Sequence, residues 1–272
     1  MKNIEFIRIA NEFWQIEATT MGGQLLHAKH ISSDHPVLFC SKKAEIAPGK
    51  AIRGGIPVCW PWFGASPVPE RPIQGFARTA CWEITTLKQD FIRMKLPPEN
   101  IPANWQDFPF ELFSEIRISG ALEISLFMKN TGTLPVEISC ALHTYFAVSN
   151  CENITVTGLE NTPFTVKGSP EQPGETAPPM IRGEICRLYY PQNATVSLND
   201  PAWQRKIVIE KKNSSSTLLW NPGAERCAQI ADLDNNDYHN FLCIEANRAG
   251  KDTLRLPPGE IVEISQSIRL SD

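Results

Sequence analysis

An all-β fold, a large antiparallel β-sandwich, is what the sequence predicts, on three observations. Apolar and polar residues alternate over many short runs, the pattern of strands with one wet face. No comparable stretch sustains the helical period of about 3.6 residues. Proline makes up 22 of 272 residues, above the usual share of about 5%, and its spread along the chain favours many turns over long helices.

The runs come in order as "IEFIRIA" and "FWQIEATT", then "FIRMKL", "LFSEIRIS" and "ALEISLFMKN", then "VEISCALHTYF" and "ITVTGL", and last "KIVIEKK", "NFLCIEA" and "EIVEISQSIRL". Each alternates over at least part of its length and stops at turn-forming residues. Repeated strands without intervening helices imply antiparallel sheets packed face to face. Residues 168–183, "GSPEQPGETAPPMIRG", carry four prolines and three glycines, so they read as a loop or flap between strands. A length of 272 residues fits two ordinary domains or one large all-β unit. No shift of composition and no repeat marks a boundary, so the expectation is one sandwich domain over residues 1–272.

A net charge of −4 and the lack of any Lys/Arg-rich block exclude the electrostatic footprint of a nucleic-acid binder. No run approaches the roughly 18 apolar residues that cross a bilayer, and "MKNIEFIRIANEFW" is too charged and broken for a signal peptide, so the expectation is a cytoplasmic, membrane-free protein. The eight cysteines form no CxxC pair and read as small buried hydrophobes. His27, His30, His35 and Cys40 fit no usual zinc spacing, and "DLDNND" from Asp232 lacks the glycine and glutamate of a calcium loop. No metal is expected, and the acidic run reads as a solvated turn. There is no GxSxG, Walker or GxGxxG motif.

Face assignment leaves a few candidates. Alternation puts His143 with Ser139, Ala141 and Tyr145 on the wetter side of "PVEISCALHTYF", as a surface histidine or an acid/base group. Glu245 falls in line with Phe241 and Cys243 on a strand apolar on both faces, where desolvation raises a carboxyl pKa toward the range of a base; an edge-strand glutamate reaching water is the alternative. Arg53 in "IRGG" and Arg78 in "QGFART" each lie beside glycine and aromatics. They suit a clamp on phosphate or carboxylate, with glycine letting a ligand approach the backbone, or two salt bridges. Trp60, Trp62 and Phe63 suit a sugar-facing wall or plain packing.

Those residues sit in motifs that resemble the hexose-6-phosphate mutarotases (glucose-6-phosphate 1-epimerases), relatives of galactose mutarotase with a large β-sandwich. The resemblance runs nearly end to end, through "GGQLLH", "GKAIRGGIPVCWPWFG", "GFAR" followed by Trp82, "LHTYF", "WNPG" and "DYHNFLCIEA". It implies His143 as general acid, Glu245 as general base and Arg53 and Arg78 as phosphate ligands. It also implies that Asp200 hydrogen-bonds sugar hydroxyls and that Trp62 and Gln74 line the substrate. The family commonly has histidine where this chain has Gln74, which can hydrogen-bond but not carry a proton charge. The implied activity is cofactor-free interconversion of hexose 6-phosphate anomers by a monomer whose only partner is a small sugar phosphate. A mutarotase for neutral aldoses and a non-catalytic sugar-phosphate binder are the alternatives. His143 and Glu245 are expected to face each other across a gap about one pyranose wide, with both guanidinium groups at its rim.

Overall fold

The computed structural model describes residues 3–166 and 169–271. Its strands pair antiparallel throughout and form two large sheets. The longer sheet has eight strands, in the order Thr155–Thr157, Val196–Asp200, Arg205–Lys212, Ile261–Ser271, Leu122–Asn130, Phe110–Ile118, Phe91–Lys95 and Glu83–Lys88. The second runs Phe164–Val166, Ile185–Tyr189, Ser216–Asn221, Phe241–Arg248, Cys140–Leu142 and Val58–Cys59, with Tyr145–Ala147 also paired to Phe241–Arg248. Phe6–Ala10, Trp14–Thr19 and Gln24–His30 make a separate three-stranded sheet. Among the described residues no helix is long and apolar enough to cross a membrane.

Alternation builds the core between the sheets. Leu122, Ile124, Leu126 and Met128 turn inward from one strand of the long sheet, and Leu142, Ile244 and Ala246 meet the same cluster from the second. A buried polar bridge crosses the layer, with Gln266 Nε2 donating to the Ile244 carbonyl at 3.0 Å and the Thr144 hydroxyl donating to Gln266 Oε1. These bonds fix the second sheet's height over the first just where the Thr144 segment passes. They satisfy groups that burial would otherwise penalise.

Two expectations change. The run "PVEISCALHTYF" is not one strand but three, Val136–Ile138, Cys140–Leu142 and Tyr145–Ala147. The chain breaks at His143 and Thr144, where the Thr144 amide turns back to the Leu142 carbonyl at 3.0 Å. His143 is consequently not on a wet strand face; it is only 6% exposed. Strands buried on both faces, such as Ser216–Asn221, escape alternation because neither side reads polar.

The glycines of the arginine loops serve chain packing rather than ligand access. Gly55 sits at φ +65°, and a Cβ there would lie 2.2 Å from the Leu25 carbonyl oxygen. Gly75 sits at φ +72°, and its Cβ would lie 2.0 Å from the Trp60 oxygen, the atom that accepts from the Phe76 and Ala77 amides at 3.0 and 3.2 Å. Only glycine lets the loop carrying Arg78 close on Trp60. Gly75→Ala is expected to destabilise the fold by about 1–3 kcal/mol, the usual cost of a side chain forced into this backbone region. An unchanged urea midpoint would show that the loop relaxes freely.

The proline-rich loop, of which residue 168 lies outside the described residues, runs along the Phe164–Val166 edge. The Phe164 and Gln172 backbones exchange bonds at 3.1 and 2.7 Å, and Lys251 pairs with Glu171 at 2.6 Å.

Candidate active site

Strand Phe241–Arg248 lies in the middle of the second sheet and, but for its last residue, is buried along its whole length. Its register opposes Glu245 to Leu218, and Cys243 to Trp220 on one side and Tyr145 on the other. Opposed residues of antiparallel strands point to the same face. Glu245, Cys243, Trp220 and Tyr145 therefore share the face turned away from the main core. Phe39, Phe241 and Leu233 pack with them in a smaller cluster over that face.

His143 joins this face from the break between the neighbouring strands. Its Nδ1 lies 3.2 Å from Glu245 Oε1, with the two side chains 8% and 0% exposed. The imidazole stacks on Tyr145 at 4.8 Å and 9° and meets Trp220 edge-on at 5.8 Å and 87°. The distance is within ion-pair range, yet Nδ1 and Oε1 make no hydrogen bond of proper geometry. Two buried polar atoms left this way cost stability, a mark of a site shaped for something other than folding. The other carboxylate oxygen is held, since Asn247 Nδ2 donates to Oε2 at 3.2 Å. The amide cannot flip without loss, because its Oδ1 accepts from the Leu218 backbone at 2.8 Å.

Both arginine loops reach this point. Arg53 donates from Nη1 to the Tyr145 hydroxyl and from Nε to Asp232 Oδ1, each at 3.1 Å. Arg78 donates from Nη2 to the Ile73 carbonyl at 3.1 Å, and its Nε is buried without a partner. Burial first, and then the positive fields of Arg78 and Arg53, push the His143 pKa down to about 3. Burial pushes the Glu245 carboxyl well above its usual range, against the Asn247 bond and the Arg78 charge. With neither charge solvated, the favoured unliganded state is a neutral imidazole beside a protonated carboxyl. Moving that one proton to the imidazole gives the ion pair without changing the proton count.

Four of the predicted residues, His143, Glu245, Arg53 and Arg78, thus share one region. The expected pyranose-wide gap between imidazole and carboxylate does not exist, because the two are in contact. The other three predicted residues are engaged in local contacts of their own. Asp200 is fully buried, and its carboxylate accepts from the Ser149 amide and hydroxyl and from the Trp203 amide at 2.8, 2.5 and 3.4 Å. That carboxylate caps a turn on the long sheet, where alternation gave no hint of its neighbours. Trp62 is 6% exposed, donates from Nε1 to the Pro72 carbonyl at 2.9 Å and packs edge-on to Phe76 in the core cluster. Gln74 holds a left-handed φ of 64° and accepts at Oε1 from the Gly64 amide at 2.7 Å, bracing two loops. Asp200→Ala is expected to cost about 2–3 kcal/mol of stability through its charge-assisted bonds. Measured against denaturant, it should leave ligand affinity unchanged; a selective loss of sugar binding with full stability would restore the predicted role.

Sequence reasoning passed over Trp220, Asn247 and Asp232. Tyr145 was on the correct face of the predicted strand, and the register that adds Trp220 joins segments distant in sequence. The acidic run is not merely a solvated turn, for Asp232 holds Arg53.

The aldose 1-epimerase family pattern matches residues 5–269. A protein of Escherichia coli (strain K12) named "Putative glucose-6-phosphate 1-epimerase" is 29% identical over 256 residues, 92% of this chain and 85% of its own. One of the same name from Cenchrus ciliaris is 29% identical over 254 residues, 88% of this chain and 76% of its own. In structure, the chain is similar to a "putative mutarotase (YeaD) from Salmonella typhimurium", with a TM-score of 0.90 at 22% identity over 99% of this chain and 91% of that one. It also resembles a galactose mutarotase-like protein from Lactobacillus casei, with a TM-score of 0.77 at 13% identity over 98% and 100% of the two chains. Both likenesses concern the fold, an all-β galactose mutarotase-like sandwich, and with the family match they close the question of kinship: this chain is a member of the aldose 1-epimerase family.

Proposed function

We propose that the protein interconverts the α and β anomers of a hexose 6-phosphate, with glucose 6-phosphate as the test substrate. The observation that carries this reading is the contact of His143 with Glu245 at 3.2 Å within the field of two arginines. The names of the curated relatives agree with it.

Ring opening needs a base for the C1 hydroxyl proton and an acid for the ring oxygen. Both oxygens are bonded to C1, so an acid and a base side by side serve them better than a pair on opposite sides of the ring. Glu245 takes the hydroxyl proton, His143 protonates the ring oxygen, and the C1–O5 bond breaks to give the open aldehyde. Rotation about C1–C2 and the reverse transfers close the other anomer. Both steps are proton transfers, and positioned groups supply them.

The phosphate does more than anchor. Arg53 and Arg78 depress the imidazole pKa, and a bound dianion would offset their charge. The His143 pKa then rises from its unliganded value, which favours the imidazolium needed for the acid role. Desolvation, the larger cause, stays in place, so the shift is partial. Neutral glucose brings no such charge and should turn over more slowly.

Exchange NMR on equilibrated glucose 6-phosphate tests the proposal, with glucose as the comparison. Acceleration over the spontaneous rate, larger for the phosphate, is the expected result. No acceleration of either sugar despite binding would leave a sugar-phosphate binder, consistent with glutamine at position 74. Equal acceleration of both would favour a mutarotase of neutral aldoses.

A further inference from the structure

One buried group of the site has no part in these proton transfers, the thiol of Cys243. Cys243 and Glu245 alternate along one strand and so point the same way, while His143 arrives from the adjacent segment. Their ligand-capable atoms all lie within 4.8 Å of one another, and all three residues are buried. Nδ1 of His143 and Oε1 of Glu245 are the two atoms left without hydrogen bonds, and they sit 3.2 Å apart. Zinc ligands at about 2.0–2.3 Å in a tetrahedron are roughly 3.3–3.7 Å from each other, close to the Nδ1–Oε1 spacing, while the thiol, within 4.8 Å, has to draw in to join them. Asn247 grips Oε2 at 3.2 Å and so turns Oε1 toward the other two groups, the kind of outer support that metal-binding carboxylates use.

The charges also suit an ion. A thiolate and a carboxylate together cancel a dication, which leaves the ligated site neutral beside Arg53 and Arg78, whose positive field would repel an uncompensated ion. Imidazole, carboxylate and thiolate are zinc's ordinary donors, and three of them leave a fourth position for water. We propose that Zn²⁺ binds His143, Cys243 and Glu245 and inhibits the protein by occupying its acid and its base. Cys243 and Glu245 release their thiol and carboxyl protons to solvent as the Zn–S and Zn–O bonds form, with no change of oxidation state. Binding stands on the geometry alone; inhibition rests on the anomerase reading.

The test uses the full chain, freed of metal by chelator and then titrated with Co²⁺ as a spectroscopic substitute. A thiolate-to-cobalt band saturating at one equivalent is expected, absent from Cys243→Ser and Cys243→Ala, which retain seven of the eight cysteines. Zn²⁺ should slow anomer exchange reversibly to chelation, and either variant should need at least about tenfold more Zn²⁺ for the same effect. Thermal melting checks that the variants fold; should both fail, X-ray absorption of the zinc-loaded wild type must show one sulfur ligand at about 2.3 Å. No cobalt band in the wild type, an undiminished band in the variants, or activation by Zn²⁺ would overturn the proposal. A band without any anomer exchange would keep the metal site and reject the anomerase instead.

Discussion

Glu245→Gln and His143→Ala are each expected to slow anomer exchange of glucose 6-phosphate by about 10²–10⁴-fold, the usual worth of a positioned base or acid. Glutamine keeps the shape and the Asn247 contact region while removing the group that accepts the proton. Glu245→Gln keeps both polar positions of the side chain and removes a carboxyl whose charged form burial disfavours. Its stability should therefore hold while turnover falls, a combination that separates function from folding. Wild-type exchange in either variant, measured at saturating substrate, would remove that residue from the mechanism.

The second large effect concerns the arginines, and they are expected to differ. Arg78 spends one nitrogen on the Ile73 carbonyl and leaves Nε buried without a partner. Its loss should weaken glucose 6-phosphate by about 10–100-fold, the scale of a charge-assisted bond of about 1.5–3 kcal/mol, while relieving the larger of the two positive fields on His143. Arg53 is bonded to Tyr145, on whose ring His143 stacks. Arg53→Ala should lower both affinity and turnover, since it loosens the support of the acid as well as the anion site. Titration of glucose and its 6-phosphate against each variant distinguishes the cases. If neither variant changes the preference for the phosphorylated sugar, the anion site lies elsewhere.

The sequence made the architecture legible wherever one strand face is wet. Phe110–Ile118 and Leu122–Asn130 alternate cleanly because one side packs on the core and the other meets solvent. Ser216–Asn221 is covered on both sides, and so its period vanished, taking Trp220 with it. Position 143 was read on the correct face but with the wrong exposure. The turn at Thr144 that interrupts the strand depends on Gln266 in the other sheet, a contact no local pattern carries. The contact between His143 and Glu245 likewise needs the register of segments about a hundred residues apart. Asp200 and Trp62 are residue types suited to sugar binding, placed in the motif order the family implies, and the bonds that hold each of them to its own neighbours are not visible in that order.

The most direct measurement is a double-mutant cycle on anomer exchange, comparing His143→Ala, Glu245→Gln and the two combined. If the touching pair works as one proton-transfer unit, the combined variant is no slower than the worse single variant, as for residues acting together. Losses that multiply independently would mean that the two groups act at separate places, and the site described by their contact would not be the one that opens the sugar.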